Sequence, residues 1–184
     1  MIKIFAIGGA PATGKSTLMK AFLAQLPPTK EFKQGTVRGL VCNEAKVVVL
    51  GFYPEGEGFG GTDRLAMNAQ TDAKTFVRGA NASPSWEGYW IVFEGDRLFN
   101  SSFLHHCQDN SGKLHIWMLQ ADATMLSVRH IARQDTQPAS WLQGRETKIA
   151  NIAKEFGVAI ERHEHSYPQQ TAELAAEMVK LVSP

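Results

Sequence analysis

Residues 9 to 16 read Gly9-Ala10-Pro11-Ala12-Thr13-Gly14-Lys15-Ser16, two glycines followed by Lys-Ser at a spacing that few architectures can use. The run Ile2-Lys3-Ile4-Phe5-Ala6-Ile7 before it is short and apolar, as a buried parallel strand is. After it, Leu18, Ala21, Phe22 and Leu26 mark one face of a helix that stops before Pro27-Pro28. In that order the glycines let backbone N–H groups curl around an anion at a helix N-terminus. Lys15 adds a charge that no backbone supplies, and Ser16 offers its hydroxyl to a divalent cation. Gly9 to Thr17 is therefore the expected site for a nucleoside triphosphate, with ATP and Mg²⁺ as the expected ligands.

At 184 residues the chain has the length of one domain. Its net charge of +1 gives no global field that would draw it to nucleic acid or membrane. Across Pro27 to Gly88 acidic and basic side chains are equal in number, so composition draws no basic groove there. Cys42 and Cys107 are too few for a disulfide framework or a zinc ribbon and read as reduced thiols of a cytoplasmic protein. The apolar start, about six residues long, is too short for a signal peptide or a membrane span.

Further strands are expected at Thr36 to Val41, Lys46 to Tyr53, Tyr89 to Glu94 and Leu114 to Leu119, the first two as a hairpin or as two core strands. A last strand opens at Val158 to Ile160 and runs toward His163. Helices are expected from Arg97 to about Cys107, Ala123 to about Arg133, Arg145 to Phe156, and Thr171 to Val182. Alternation of buried strands with helices predicts an α/β fold, a mostly parallel central sheet covered on both faces. Ligands then gather at the carboxyl ends of the strands. Residues from about 54 to 88 interrupt the rhythm and read as a substrate-binding insert. Residues from about 134 to 145 read as a polar lid.

Glu94 ends the strand Ile91-Val92-Phe93, where a carboxylate would hold Mg²⁺ beside Ser16. Asp96 and Arg97 follow, either at the phosphates or as a helix N-terminal pair. Asp63 lies beyond the strand ending at Tyr53 and the loop Gly56-Glu57-Gly58-Phe59-Gly60-Gly61-Thr62. A hydroxyl attacking a γ-phosphate needs a base opposite the leaving group, and Asp63 fits that role or that of a helix cap. Phe59 and Tyr53 are candidates to stack on a planar acceptor or to pin the insert to the core, and Arg64 is a candidate to hold a phosphate. Arg129 and Arg133 share a helix face four residues apart, as a clamp on an anion or as a solvated face. Arg145, at the end of the lid, is a further candidate to bind substrate. His163-Glu164-His165 places two imidazoles on one strand face and is expected to be structural.

On these residues the chain resembles the P-loop nucleoside and nucleotide kinases, with their three-layer sandwich. More narrowly it resembles bacteriophage kinases that act on 5-hydroxymethyluracil in DNA, a step of thymine hypermodification. The resemblance is carried by Ile7 to Thr17, by Phe59-Gly60-Gly61-Thr62-Asp63-Arg64-Leu65-Ala66-Met67, by Phe93-Glu94-Gly95-Asp96-Arg97, and by Gly144-Arg145-Glu146-Thr147-Lys148. It implies ATP-dependent phosphorylation of a base-attached hydroxymethyl group. The residues themselves leave three classes open: a kinase of a base in DNA, a kinase of a free nucleoside, nucleotide or other small alcohol, and an NTPase that is not a kinase.

Overall fold

The computed structural model describes residues 1–54, 60–132 and 137–183. Among these residues seven strands form one sheet: β1 (Lys3–Gly9), β2 (Lys30–Gln34), β3 (Val37–Cys42), β4 (Val47–Leu50), β5 (Trp90–Glu94), β6 (Lys113–Gln120) and β7 (Ile160–Glu164). Their order is β2-β3-β4-β5-β1-β6-β7. The five strands from β4 to β7 in that order are parallel, and β3 alone runs against its neighbours. Thr36 to Tyr53 thus folds as the hairpin, β3 and β4. It is extended by β2, which no sequence pattern announced, because Lys30-Glu31-Phe32-Lys33-Gln34 carries a single apolar side chain on an exposed edge.

Among the described residues the helices are α1 (Lys15–Leu23), α2 (Ala69–Ala82), α3 (Ser101–Asp109), α4 (Ala123–Ala132), α5 (Ala139–Phe156) and α6 (Pro168–Val182). Alternate residues of each central strand point to opposite faces, as the period of two requires. Ile4 and Ala6 of β1, with Ile91 and Phe93 of β5, pack against Phe76 and Val77 of α2, Phe103 of α3 and Ile152 of α5. Phe5, Ile7 and Val92 point the other way, onto Leu18 and Phe22 of α1 and Leu174 and Met178 of α6. The result is the three-layer sandwich.

Three expected boundaries move for identifiable reasons. The stretch 54–88 is not one long polar connection: within it α2 buries Ala69, Ala73, Phe76, Val77 and Ala80 along one face. Small alanines carry most of that stripe, which is why it reads as polar. The helix expected from Arg97 begins at Ser101, because the Asn100 side chain accepts from the Phe103 N–H at 3.1 Å and caps it. Asp96 and Arg97 are therefore not a helix N-terminal pair. The helix expected from Arg145 begins six residues earlier, at Ala139 after Pro138, so the described part of the lid segment is largely helical.

Neighbouring strands β1 and β5 send their chains to opposite faces, to α1 and α3 respectively. A crevice opens between their carboxyl ends, the place where open α/β sheets bind ligands.

Candidate active site

Gly9 ends β1, and Gly14 turns the chain into α1 with φ of +87°. Side chains are excluded at Gly14 for a second reason: a Cβ there would overlap the His165 ring. Between them Ala12 holds φ of +63°, uncommon for a residue with a side chain. Thr13 Oγ1 donates to the Ala10 carbonyl at 2.9 Å, and Lys15 Nζ donates to the carbonyls of Gly9 and Ala10, each at 2.9 Å. The ammonium of Lys15 thereby lies across the loop. Pro11 is half-buried in the loop, and Thr17 is exposed on the first turn of α1.

Glu94 pairs in register with Ile7, the residue before Gly8-Gly9, and is buried at 1 % exposure. Ser16 Oγ donates to Glu94 Oε1 at 2.9 Å, and the Tyr53 hydroxyl donates to the same oxygen at 3.5 Å. Burial raises the Glu94 carboxyl to about 7, although the Lys15 charge and the Ser16 bond work against it. A buried carboxylate joined to a serine hydroxyl is a hard-oxygen pair of the kind Mg²⁺ takes, and a cation there would relieve the cost of the buried charge. The residues present fit that ion. Gly61, with φ of +98°, lies so close to Glu94 that a Cβ would overlap its carboxylate. Burial, followed by the Glu94 charge, also pushes the Tyr53 hydroxyl well above its ordinary range.

Asp63 sits in a 3₁₀ turn, Thr62–Arg64, pinned to the end of β5 by Thr62 Oγ1, which donates to the Glu94 carbonyl at 2.7 Å. Asp63 Oδ1 accepts from the Arg97 N–H at 2.8 Å. Burial, more than the neighbouring charge of Asp96, raises the Asp63 carboxyl above its ordinary value, the direction that makes a carboxylate a better base. The chain neck ahead of this turn is closed by two backbone bonds between Phe52 and Gly61, at 3.0 and 2.9 Å.

Four other expected site residues have defined partners. Arg97 faces the Asp63 turn: Nη2 donates to the Asp63 carbonyl at 3.4 Å and Nη1 to Met67 Sδ at 2.6 Å. Arg145 pairs with Asp96 at 3.1 Å, and Lys148 joins the same carboxylate at 3.6 Å. Arg129 bridges two loops, donating to the Ala12 carbonyl at 3.1 Å and the Ser166 carbonyl at 2.8 Å. Arg64 lies over the Phe52 ring, 5.0 Å from its centre. Tyr53, a stacking candidate, instead directs its hydroxyl to Glu94 and packs its ring on the α1–α6 side of the core. Phe59 and Arg133 lie outside the described residues.

His165 belongs to this site and is visible in the sequence only as a structural histidine. Its Nδ1 lies 2.7 Å from the Thr13 carbonyl, which can only accept, so Nδ1 carries the proton. Nε2 then accepts from the Thr171 hydroxyl at 2.8 Å. Burial lowers the pKa of His165, the direction that favours the neutral ring in which Nε2 accepts. The phosphate loop is thus fastened from behind by the connection between β7 and α6. No local motif marks this contact, since 152 residues separate the two partners.

An unliganded sugar kinase from Janibacter sp. HTCC2649 superposes on the whole of this chain and 99 % of its own, with a TM-score of 0.53 at 15 % identity. That likeness is one of fold, an α/β sandwich around a mostly parallel sheet. Lesser likenesses join it. A gluconokinase from Sinorhizobium meliloti 1021 covers 98 % of this chain and 95 % of its own at 12 % identity, TM-score 0.46. A shikimate kinase from Bacteroides thetaiotaomicron covers 98 % of both chains at 15 % identity, TM-score 0.42. No protein-family profile matches the sequence, and no curated protein does. Among the described residues no helix is long and apolar enough to cross a membrane.

Proposed function

We propose that this chain is a kinase that transfers the γ-phosphate of ATP to a hydroxyl group of a small acceptor, a nucleoside, nucleotide or other alcohol. One observation carries the reading: the carboxylate of Asp63 is fastened to the same strand end that presents the Ser16–Glu94 pair under the phosphate loop. A base for the acceptor and a metal site for the donor then face one crevice. Phosphoryl transfer needs little more than positioning and charge.

The loop N–H groups and Lys15 would hold the β- and γ-phosphates. Ser16 Oγ and Glu94 would hold Mg²⁺, which neutralises charge on those phosphates when bound. Asp63 would take the acceptor's hydroxyl proton as the new O–P bond forms and the bond between the γ-phosphorus and the bridging oxygen breaks, with ADP carrying that oxygen away. Arg129, which bonds the Ala12 carbonyl of the loop, would stabilise charge that builds during transfer.

A narrower acceptor, the hydroxymethyl group of 5-hydroxymethyluracil in phage DNA, is the one that the sequence resemblance implies. Three of the sequence blocks that carry that resemblance, far apart along the chain, meet at the end of β5. Arg97 bonds Asp63 and Met67, and Arg145 and Lys148 both reach Asp96. The deciding experiment supplies ATP labelled at the γ-phosphate together with free nucleosides, nucleotides, sugars and sugar acids, and with hydroxymethyluracil-containing and plain oligonucleotides. Label in a small acceptor supports the main reading, and label confined to hydroxymethyluracil DNA selects the narrower one. Release of free phosphate with no labelled acceptor would overturn both.

A further inference from the structure

The segment from Pro27 to Gly88 balances its charges in sequence, yet three of its cations gather at one place in the fold. Lys33 of β2, Arg38 of β3 and Arg64 converge on one cavity of about 450 Å³, whose wall Thr36, Phe52 and Leu65 help to complete. Lys33 and Arg38 are direct partners across the antiparallel β2–β3 ladder. Like charges placed opposite one another destabilise a hairpin, so the pair is costly unless something anionic offsets it.

The cavity wall is also held in place. Asp72 of α2 accepts from the Thr36 N–H at 2.7 Å and from the Thr36 hydroxyl at 2.6 Å, which ties the tip of the hairpin to the helix beside it. Those two bonds hold the Asp72 carboxyl below its usual range and direct it to the turn. Phe52 orients Arg64 from beneath, through the ring contact already described. Arg64 and Asp63 are consecutive residues of one turn, the first facing the cavity and the second bonded to the end of β5.

We infer that this cavity binds a phosphate group carried by the acceptor, held by Lys33, Arg38 and Arg64, while the acceptor's hydroxyl reaches Asp63 in the same turn. The placement of the hydroxyl rests on the kinase reading above; the phosphate site does not. Two sources share this chemistry, the terminal phosphate of a free nucleotide and the internucleotide phosphate of a strand. A guanidinium fork and an ammonium suit both.

Binding is measured by calorimetry with the phosphate loop filled by Mg²⁺ and a non-hydrolysable ATP analogue, so that the loop cannot take up the probe. The probes are thymidine, thymidine 5′-monophosphate and a single-stranded oligothymidylate. At least one phosphate-bearing probe should bind about tenfold or more tightly than thymidine, a difference of about 1.4 kcal/mol. The double variant Lys33→Glu, Arg38→Gln should lose that preference while keeping its affinity for the ATP analogue. Both side chains are exposed, and the changes remove a like-charge pair, so the variant is expected to fold. Tightest binding by the monophosphate assigns the site to a terminal phosphate. Tightest binding by the strand, with a salt slope of roughly 0.7 per neutralised phosphate, assigns it to the internucleotide one. Equal affinity for all three probes, or a preference that survives in the double variant, would overturn the inference. Transfer without a phosphate preference defeats this site alone, whereas a preference without transfer to any acceptor defeats the kinase reading and leaves the site standing.

Discussion

The loop proposed for the donor and the cavity proposed for the acceptor are built by different rules. On the proposed donor side, Gly9 to Ser16 are consecutive, and distant residues only fasten them: Glu94, buried at a strand end, Arg129 and His165. On the acceptor side Lys33, Arg38, Phe52 and Arg64 come from separate elements and are exposed. Phosphate recognition by backbone N–H groups demands particular dihedral angles over a few adjacent residues, which only a local sequence can impose. Recognition of an acceptor by side chains makes no such demand. It is assembled from whatever the fold brings together, and residues there can change without disturbing the core.

That difference can be broken or sharpened by substitution. The largest effect belongs to the donor side: Lys15→Ala should lower turnover about a hundredfold or more, since it removes a charge that meets the transferring phosphate. Near-native turnover in a folded Lys15→Ala protein would contradict the phosphate-loop assignment. Gly61→Ala comes next. It forces a side chain into the left-handed region and onto Glu94, so stability should fall by about 1–3 kcal/mol from strain, with a loss of Mg²⁺-dependent nucleotide binding beside it. Denaturant unfolding and a Mg²⁺ titration measure the two losses, and a variant that keeps both properties would mean the neck is loosely packed.

His165→Ala leaves the Thr13 carbonyl without its donor and should cost about 1–3 kcal/mol. The sign of its pH dependence is fixed by the lowered pKa. Because the folded protein binds this proton less readily than the unfolded chain, the contribution is present above the ordinary histidine value and lost as pH falls through the folded one. The stability gap between wild type and His165→Ala should therefore narrow on acidification. A gap that is constant with pH would show that the ring's charge state is irrelevant to the loop. Smallest is Lys33→Glu on the acceptor side, which replaces a repulsive cross-strand pair by an attractive one and should stabilise by about 0.2–1 kcal/mol. A destabilised Lys33→Glu protein would place Lys33 in the hairpin's structural scaffold.

The donor side was legible because its information is local: Gly9, Gly14, Lys15, Ser16 and the carboxylate ending an apolar strand at Glu94 can all be read without a fold. Asp63 and Arg97 could each be singled out, but the bond between them spans 34 residues and follows only from the meeting of β5 with the Thr62–Arg64 turn. The contact of Tyr53 with Glu94 was hidden for the same reason, since only the packed structure shows its hydroxyl aimed at that carboxylate. Sequence balance of charge concealed the cation cluster, because acidic and basic residues that alternate along a chain need not mix in space. The stripe of α2 was present at Ala69, Ala73, Phe76, Val77 and Ala80, yet small side chains among polar ones gave it little contrast.

The central claim is that donor and acceptor chemistry are separable at the end of β5, and Asp63→Asn tests it most directly. Asparagine keeps the size of the side chain and an oxygen to accept the Arg97 N–H, but it cannot take a proton at the working pH. Mg²⁺–ATP affinity by calorimetry and single-turnover transfer should be measured on one preparation of the folded variant. The account predicts unchanged nucleotide affinity and transfer slowed about a hundredfold or more, as loss of a general base requires. Transfer at the wild-type rate under saturating ATP, with nucleotide affinity reduced, would contradict it and return Asp63 to the donor side.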